Sequence, residues 1–191
     1  MARLPDLDPR TMTDEQQAVC EEVLAGPRSR LPAPLRAWLF RPELARRGQS
    51  LGAYARYGTC LAPHLSELAI LVTARFWGSE YEWHAHKTEA LKAGVPPAAI
   101  DAIEADAVPD LEDQQSRCVH DLVRELYASR TLSEESYRRG EAILGRDGMI
   151  DLVAIAGYYS FVAMTLNVFD IGVPEGAERP FGRGKARAEA L

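Results

Sequence analysis

Residues 63–93 read PHLSELAILVTARFWGSEYEWHAHKTEALKA, and this stretch decides the fold. Pro63 suits the first position of a helix, where its missing N–H would have no partner. Apolar residues then recur at intervals of three and four, as in a helix. A break at Gly78 precedes a second helical run over 80–93, which a glycine and two prolines end. The stretch therefore predicts an antiparallel helix hairpin.

Helical patterns dominate the rest of the chain as well, and the alternation typical of strands is nearly absent. The sequence therefore predicts an all-α fold. We expect one domain over 1–191, with a core of about 35–172, an N-terminal helical extension over 1–34 and a loose tail over 173–191. The helices predicted outside the hairpin are 14–26, 42–58, 97–105, 111–129, 133–144 and 148–169.

Length and composition are those of a folded globular protein. The chain has 191 residues, 47% of them hydrophobic, which is sufficient for one buried core. Lys and Arg number 22 and Asp and Glu 28, so the net charge of −6 gives no support to a nucleic-acid or anionic-membrane partner. The first residues show no apolar signal segment, and we expect a cytoplasmic protein.

The longest apolar stretch, 150–169, is long enough to cross a membrane. It contains Asp151, Asn167 and several other polar residues, which is too polar for lipid on all sides. We therefore expect a helix buried in the core or in an oligomer interface, and no membrane partner.

The cysteines indicate neither disulfides nor a metal site. Cys20, Cys60 and Cys118 are widely separated and lack the spacing of zinc ligands. We interpret all three as small buried side chains. Since the chain also lacks a glycine-rich phosphate loop, no cofactor is expected.

Candidate chemistry is concentrated in the hairpin. Glu82 and His86 are i, i+4 neighbours on one helix face, and Glu67 lies on a line of apolar and small residues on the facing helix. A Glu/His/Glu cluster between the helices is therefore plausible, and carboxylates beside an imidazole suit proton transfer. A solvated surface pair, and an interface salt bridge for Glu67, are the alternatives left open by spacing alone.

The other histidines give less indication of a functional role. His84 points away from His86, because side chains at positions i and i+2 of a helix diverge. We interpret His84 as a surface or subunit-contact residue. His64 and His120 have no evident partners in the sequence.

The stretch 65–95, together with Leu166 and Asn167, resembles the carboxymuconolactone decarboxylase family. The superfamily of these proteins also contains the AhpD-type alkylhydroperoxidases, and the similarity extends over about 38–172. This resemblance implies an AhpD-like helical bundle with a central antiparallel helix hairpin. It also implies a homo-oligomer, from dimer to hexamer.

The resemblance distinguishes two branches of the superfamily. In the decarboxylase branch, a Glu is followed by a Gly-x-x-x-Glu-x-x-x-His pattern, and the matching residues here are Glu67, Gly78, Glu82 and His86. In the peroxidase branch a Cys-x-x-Cys pair would fall on Ser79 and Glu82. Thiol peroxidase chemistry needs an attacking thiolate and a resolving thiol. This chain is longer than the decarboxylases and lacks the Cys-x-x-Cys pair, so it resembles the decarboxylase branch more.

The resemblance implies an acid/base decarboxylase, lyase or isomerase that acts, without a cofactor, on a small unsaturated or lactone carboxylic acid. His86 is the expected main acid/base, Glu82 its orienting partner or second base, and Glu67 the group that tunes both. The residues expected to bind substrate are Tyr54, Ser79, Tyr81 and Trp83.

Family decarboxylases carry an arginine where this chain has Ser79. Arg56, Arg75 or an arginine of another subunit is the candidate to bind a substrate carboxylate instead. Two other functions remain open: an alkylhydroperoxidase- or peroxiredoxin-like oxidoreductase with a non-thiol route, and a small-molecule-binding protein without catalysis.

Overall fold

The computed structural model of the protein describes residues 3–26 and 31–182, and these residues form helices and no strand. The prediction of an all-α fold is therefore confirmed. The helices in chain order are α1 Asp14–Ala25, α2 Leu35–Trp38, α3 Pro42–Tyr57, α4 Pro63–Trp77, α5 Glu80–Ala93, α6 Pro97–Glu104, α7 Gln114–Ser129 and α8 Glu134–Val168.

The hairpin of α4 and α5 lies at the centre of the fold. Ten consecutive residues of α4, Leu65 to Ala74, are buried, so this helix is covered on all sides. Gly78 ends α4 in the left-handed conformation, with φ 54°, which a residue without a Cβ adopts at least cost. The N–H of Ser79 then donates to the carbonyl of Ala74 at 2.8 Å and closes the turn.

Helices α7 and α8 cover α4, and α3 packs on α8. Trp38, the last residue of α2, joins α2 to α8. Its indole N–H donates to Thr165 Oγ1 at 3.0 Å, and its ring stacks on Phe161 with the centroids 4.9 Å apart. Helix α7 begins at Gln114, three residues after the predicted start, because the Asp113 carboxylate accepts the N–H of Ser116.

Helix α8 is kinked at Gly145, where φ is 73° and ψ is 169°. The kink divides it where the sequence predicted a break between two helices. Part of α8 is long and apolar enough to cross a membrane by length and composition, but 61% of that window is buried in the described fold. Core helices of soluble proteins pass the same test, so the evidence for a membrane span is weak.

The tail is less loose than predicted. Within its described part, 173–182, the ring of Phe181 meets Trp83 edge-on at 5.2 Å and lies under the Arg75 guanidinium at 5.1 Å. An aromatic side chain buries much apolar area, which fixes this segment on the bundle. Residues 183–191 of the predicted tail, and 27–30 of the loop before α2, lie outside the described residues.

Candidate functional site

A cavity of about 380 Å³ opens beside α5. Glu82 and His86 of α5 line it together with Tyr158 and Tyr159 of α8. The segment 31–34, which precedes α2, contributes a further wall. The N-terminal part of the chain is therefore part of the site.

His86 is held by Glu67 across the hairpin. Its Nδ1 lies 2.7 Å from Glu67 Oε2, and both residues are buried, with 4% and 8% of their surfaces exposed. A carboxylate accepts hydrogen bonds, so the Nδ1–H of His86 donates to it. The ring also meets Tyr159 edge-on, with the centroids 5.0 Å apart, which fixes its plane.

The other ring nitrogen of His86, Nε2, faces Glu82. Its distance to Glu82 Oε2 is 3.8 Å, which is longer than a hydrogen bond. Both residues line the cavity, whereas Glu67 lies behind them. The predicted cluster of two glutamates and a histidine therefore forms, with the orienting contact made by Glu67 rather than by Glu82.

Arg56 of α3 brings a cation to the same cavity. Its Nη2 lies 3.4 Å from Glu89 Oε2 and 4.0 Å from Glu67 Oε1. Burial by itself lowers the pKa of Arg56, but the nearby Tyr159, Glu67, Tyr57 and Glu89 raise that pKa above its ordinary value. The guanidinium is therefore charged at any physiological pH.

Of the four residues expected to bind substrate, Tyr81 lines the cavity. The structure does not bring Tyr54, Ser79 and Trp83 to this cavity. Tyr54 instead donates its hydroxyl to Asp151 at 2.5 Å, and Ser79 is fully buried in the hairpin turn.

Trp83 lies on another side of α5, because one residue turns the helix by about 100° from Glu82. Its indole N–H donates to Glu104 at 3.1 Å, and 2% of its surface is exposed. Its role in the described structure is to pack α5 against α6.

Sequence reasoning missed several residues of the cavity. Glu89 follows His86 by three residues on the same face of α5, and this spacing could have identified it. Tyr158, Tyr159 and the segment 31–34 gave no sequence signal, because only tertiary packing brings them to α5.

Two of the three cysteines are buried as predicted, but Cys60 is exposed, which corrects that prediction. The Cys60 N–H donates to Asp151 at 2.7 Å. A side-chain hydrogen bond to the same carboxylate raises the pKa of the Cys60 thiol, so the reactive thiolate is disfavoured. Among the described residues, no group of three or more His, Cys, Asp or Glu side chains is arranged to hold a metal ion.

The remaining histidines have partners that the sequence did not indicate. His64 Nε2 lies 3.8 Å from Asp113, and His120 Nδ1 lies 3.1 Å from Asp121. Neither lines the cavity of His86, whereas the exposed His84 does.

Fold and site together define an all-helical protein with a buried carboxylate–imidazole pair beside a cavity. Residues 42–117 match the model of the carboxymuconolactone decarboxylase family, and these residues include the whole hairpin. The resemblance seen in the sequence is therefore confirmed over this region.

A solved structure from Ralstonia eutropha JMP134 resembles the whole fold. It is described as an alkylhydroperoxidase AhpD core and an uncharacterized peroxidase-related protein. The match has a TM-score of 0.75 at 16% sequence identity and covers 96% of each chain. The AhpD-like fold is therefore confirmed. A search of the curated proteins found no sequence that matches this chain.

Proposed function

We propose that this protein is a cofactor-independent acid/base enzyme, a decarboxylase, lyase or isomerase that acts on a small unsaturated or lactone carboxylic acid. The observation that carries the proposal is the 2.7 Å contact between Glu67 and His86 beside the cavity. The match of 42–117 to the carboxymuconolactone decarboxylase family supports the same class of reaction.

His86 is the proposed acid/base. Because Glu67 accepts the Nδ1–H, the Nε2 atom carries the lone pair and serves as the base on the cavity side. When Nε2 takes a proton, the imidazolium is stabilised by the Glu67 carboxylate, as an aspartate does in serine proteases. Glu67 is therefore a positioning residue that does not itself meet the substrate.

Glu82 is the proposed second acid/base group. Glu82 Oε2 lies 3.8 Å from His86 Nε2, and both residues line the cavity, which supports a role for the two groups in taking up and giving a proton. In an isomerisation or elimination, one group removes the proton next to a carbonyl and the other returns or supplies a proton. In a decarboxylation, the C–C bond to the carboxylate breaks, carbon dioxide leaves, and the dienolate that keeps the electron pair takes a proton from one of them.

The test is turnover by the full chain. Carbon dioxide release and loss of ultraviolet absorbance are measured with 4-carboxymuconolactone and several unsaturated monocarboxylic acids, for wild type, His86→Gln and Glu82→Gln. We expect kcat to fall about 100-fold or more in both variants. His120→Gln, a change of the same kind away from this cavity, leaves the rate unchanged.

The absence of turnover with any acid would contradict the proposal and favour a binding protein. The Glu82→Gln variant distinguishes the acid/base enzyme from a non-catalytic binding protein. A binding protein keeps its affinity for a ligand in this variant, whereas the enzyme loses turnover. Consumption of an organic hydroperoxide by the wild type would instead favour the oxidoreductase alternative. Thiol chemistry has little support, since Ser79 and Glu82 occupy the positions of the paired cysteines.

A further inference from the structure

A second cavity lies at the end of the hairpin where α4 begins and α5 ends, opposite the turn at Gly78. Its volume is about 450 Å³, and the described residues that line it are all different from those that line the cavity of His86. We propose that this second cavity binds a small organic amine. The ammonium group lies against Asp110, Glu112 and Asp113, and the hydrocarbon part lies against an apolar wall.

The apolar wall of the second cavity is firmly packed. Leu68 of α4, Val95 after α5 and Leu111 before α7 line it, with 1%, 4% and 4% of their surfaces exposed. Gly94 lies beside them, and a Cβ built on it meets no atom within 4 Å, so the space in front of it is open. Cavities of this size with apolar walls and a few polar groups are typical of small-molecule sites.

The other side of the second cavity carries carboxylates. Asp110, Glu112 and Asp113 belong to the loop between α6 and α7, and all three line the cavity. Arg117 holds this loop, because its guanidinium donates to the carbonyls of Leu111 and Glu112. A loop that is already fixed has less freedom to lose when a ligand binds.

Asp113 is the proposed main partner of the ammonium group. Its Oδ2 accepts the N–H of Ser116 at 2.7 Å and so caps α7. Hydrogen bonds from the hydroxyl and the N–H of Ser116, with a smaller one from the Gln115 N–H, lower the pKa of Asp113 although burial opposes this. Asp113 is therefore an anion at neutral pH. Because a carboxylate accepts several hydrogen bonds, it can cap the helix and bind an ammonium group together.

His64 leaves room for the ammonium group beside Asp113. Its Nε2 lies 3.8 Å from Asp113 Oδ2, which is longer than a hydrogen bond, whereas an ammonium group approaches a carboxylate to about 2.7–2.9 Å. A ligand carboxylate at the same place would lie beside three like charges, which disfavours its binding. The second cavity therefore favours a cation that also carries a hydrocarbon group.

The test is an NMR titration of the full ¹⁵N-labelled chain at pH 7 with four probes. Phenethylamine has the charge and the hydrocarbon group, 2-phenylethanol is its neutral counterpart, 3-phenylpropionate is an anion, and methylamine has the charge with almost no hydrocarbon. We expect wild type to bind phenethylamine at least about 10-fold more tightly than each other probe. The amide signals of Gly94 and Leu111 are expected to shift.

Asp113→Asn is the decisive variant, because asparagine caps a helix about as well as aspartate but carries no charge. We expect its affinity for phenethylamine to fall about 10-fold, with the affinity for 2-phenylethanol unchanged. The control is Asp14→Asn, the same change in the first turn of α1, which leaves both affinities unchanged. Circular dichroism verifies folding, and Asp110→Asn gives a second measurement with the same expected direction if Asp113→Asn fails to fold.

Four results would overturn the inference. They are equal affinity of wild type for phenethylamine and 2-phenylethanol, methylamine bound as tightly as phenethylamine, shifts confined to the residues around His86, and no shift at about 10 mM phenethylamine. Methylamine bound as tightly would show that the carboxylates attract any cation. The inference stands apart from the proposed function, since His86→Gln is expected to remove turnover and leave the binding of phenethylamine unchanged.

Discussion

Glu67 and His86 are 19 residues apart in the sequence, yet Glu67 Oε2 lies 2.7 Å from His86 Nδ1. The hairpin turn at Gly78 produces this contact by folding α5 back along α4. The contact orients one ring nitrogen toward a buried carboxylate and leaves the other for the cavity, where Glu82 lies 3.8 Å away.

Glu67→Gln tests this orientation. An amide offers both a donor and an acceptor to Nδ1, so it no longer enforces a single tautomer of His86. We expect kcat to fall about 10- to 100-fold with little change in KM, and ¹⁵N NMR to show a mixture of imidazole tautomers. A rate equal to that of wild type, with one unchanged tautomer, would contradict the role assigned to Glu67.

Asp151→Asn is expected to make stability less dependent on pH. Burial alone raises the pKa of Asp151, but hydrogen bonds from the Tyr54 hydroxyl and the Cys60 N–H bring that pKa below its ordinary value. A carboxyl with a lowered folded-state pKa stabilises the protein above its unfolded pKa, about 4, and this contribution is lost as the pH falls through the folded pKa.

At pH 7 the Asp151→Asn variant is expected to lose about 1–3 kcal/mol in the free energy of unfolding, since hydrogen bonds to a charged acceptor are replaced. Urea unfolding at pH 7, 5 and 3.5 measures the difference in the free energy of unfolding between wild type and Asp151→Asn. We expect this difference to become smaller at the lowest pH. A constant difference over this range would show that the charge of Asp151 is not the cause.

Gly145→Ala and Gly157→Ala are a matched pair on α8. Gly145 has φ 73° and ψ 169°, a conformation that strains an L-residue by about 1–3 kcal/mol, so its substitution is expected to destabilise the fold. Gly157 is helical, and a Cβ there meets nothing within 4 Å, so alanine is expected to be neutral or to stabilise by up to about 1 kcal/mol. Thermal or urea unfolding measures the stability of both variants. Equal changes in stability would contradict the positive φ of Gly145 at the kink.

Thr165→Val tests the buried hydrogen bond between α2 and α8. Valine keeps the shape of threonine but leaves the Trp38 indole N–H without its acceptor, so we expect a loss of about 1–3 kcal/mol in urea unfolding. Thr165→Ser retains the oxygen and is expected to keep most of the stability. A Thr165→Val variant as stable as wild type, or less destabilised than Thr165→Ser, would contradict the contribution of this hydrogen bond.

The exposed face of α8 leads us to expect self-association with a second copy of the chain. Ile150, Val153, Met164 and Val168 are all exposed and share one helix face. Val153→Glu is therefore expected to lower the molar mass measured by light scattering, while Val108→Glu, at a site outside α8 with 80% exposure, leaves it unchanged. A wild-type monomer would contradict this expectation.

Local signals were sufficient for the hairpin. Pro63 at its start and Gly78 and Gly94 at the ends of its helices act through backbone conformation alone, and the structure has the helix bounds predicted from them. The four-residue helix Leu35–Trp38 was missed, because it is too short to show a hydrophobic period.

The site was only partly predictable. The cluster of Glu67, Glu82 and His86 follows from helix geometry within one hairpin. The aromatic part of the cavity lining, Tyr158 and Tyr159, does not follow from it, since a helical position defines a face but not the neighbour that covers that face. Tyr54 therefore contacts Asp151 on α8, while Tyr159, from a distant part of the sequence, packs on His86.

The segment 31–34 lines the cavity but lies outside the 42–117 region that matches the decarboxylase family, as do Tyr158 and Tyr159. Part of the cavity wall thus comes from outside the region that contains the proposed proton-transfer groups. Substitutions in 31–34 would therefore change the shape of the cavity without changing Glu67, Glu82 or His86. Exchange of 31–34 between relatives would be a compact way to engineer specificity.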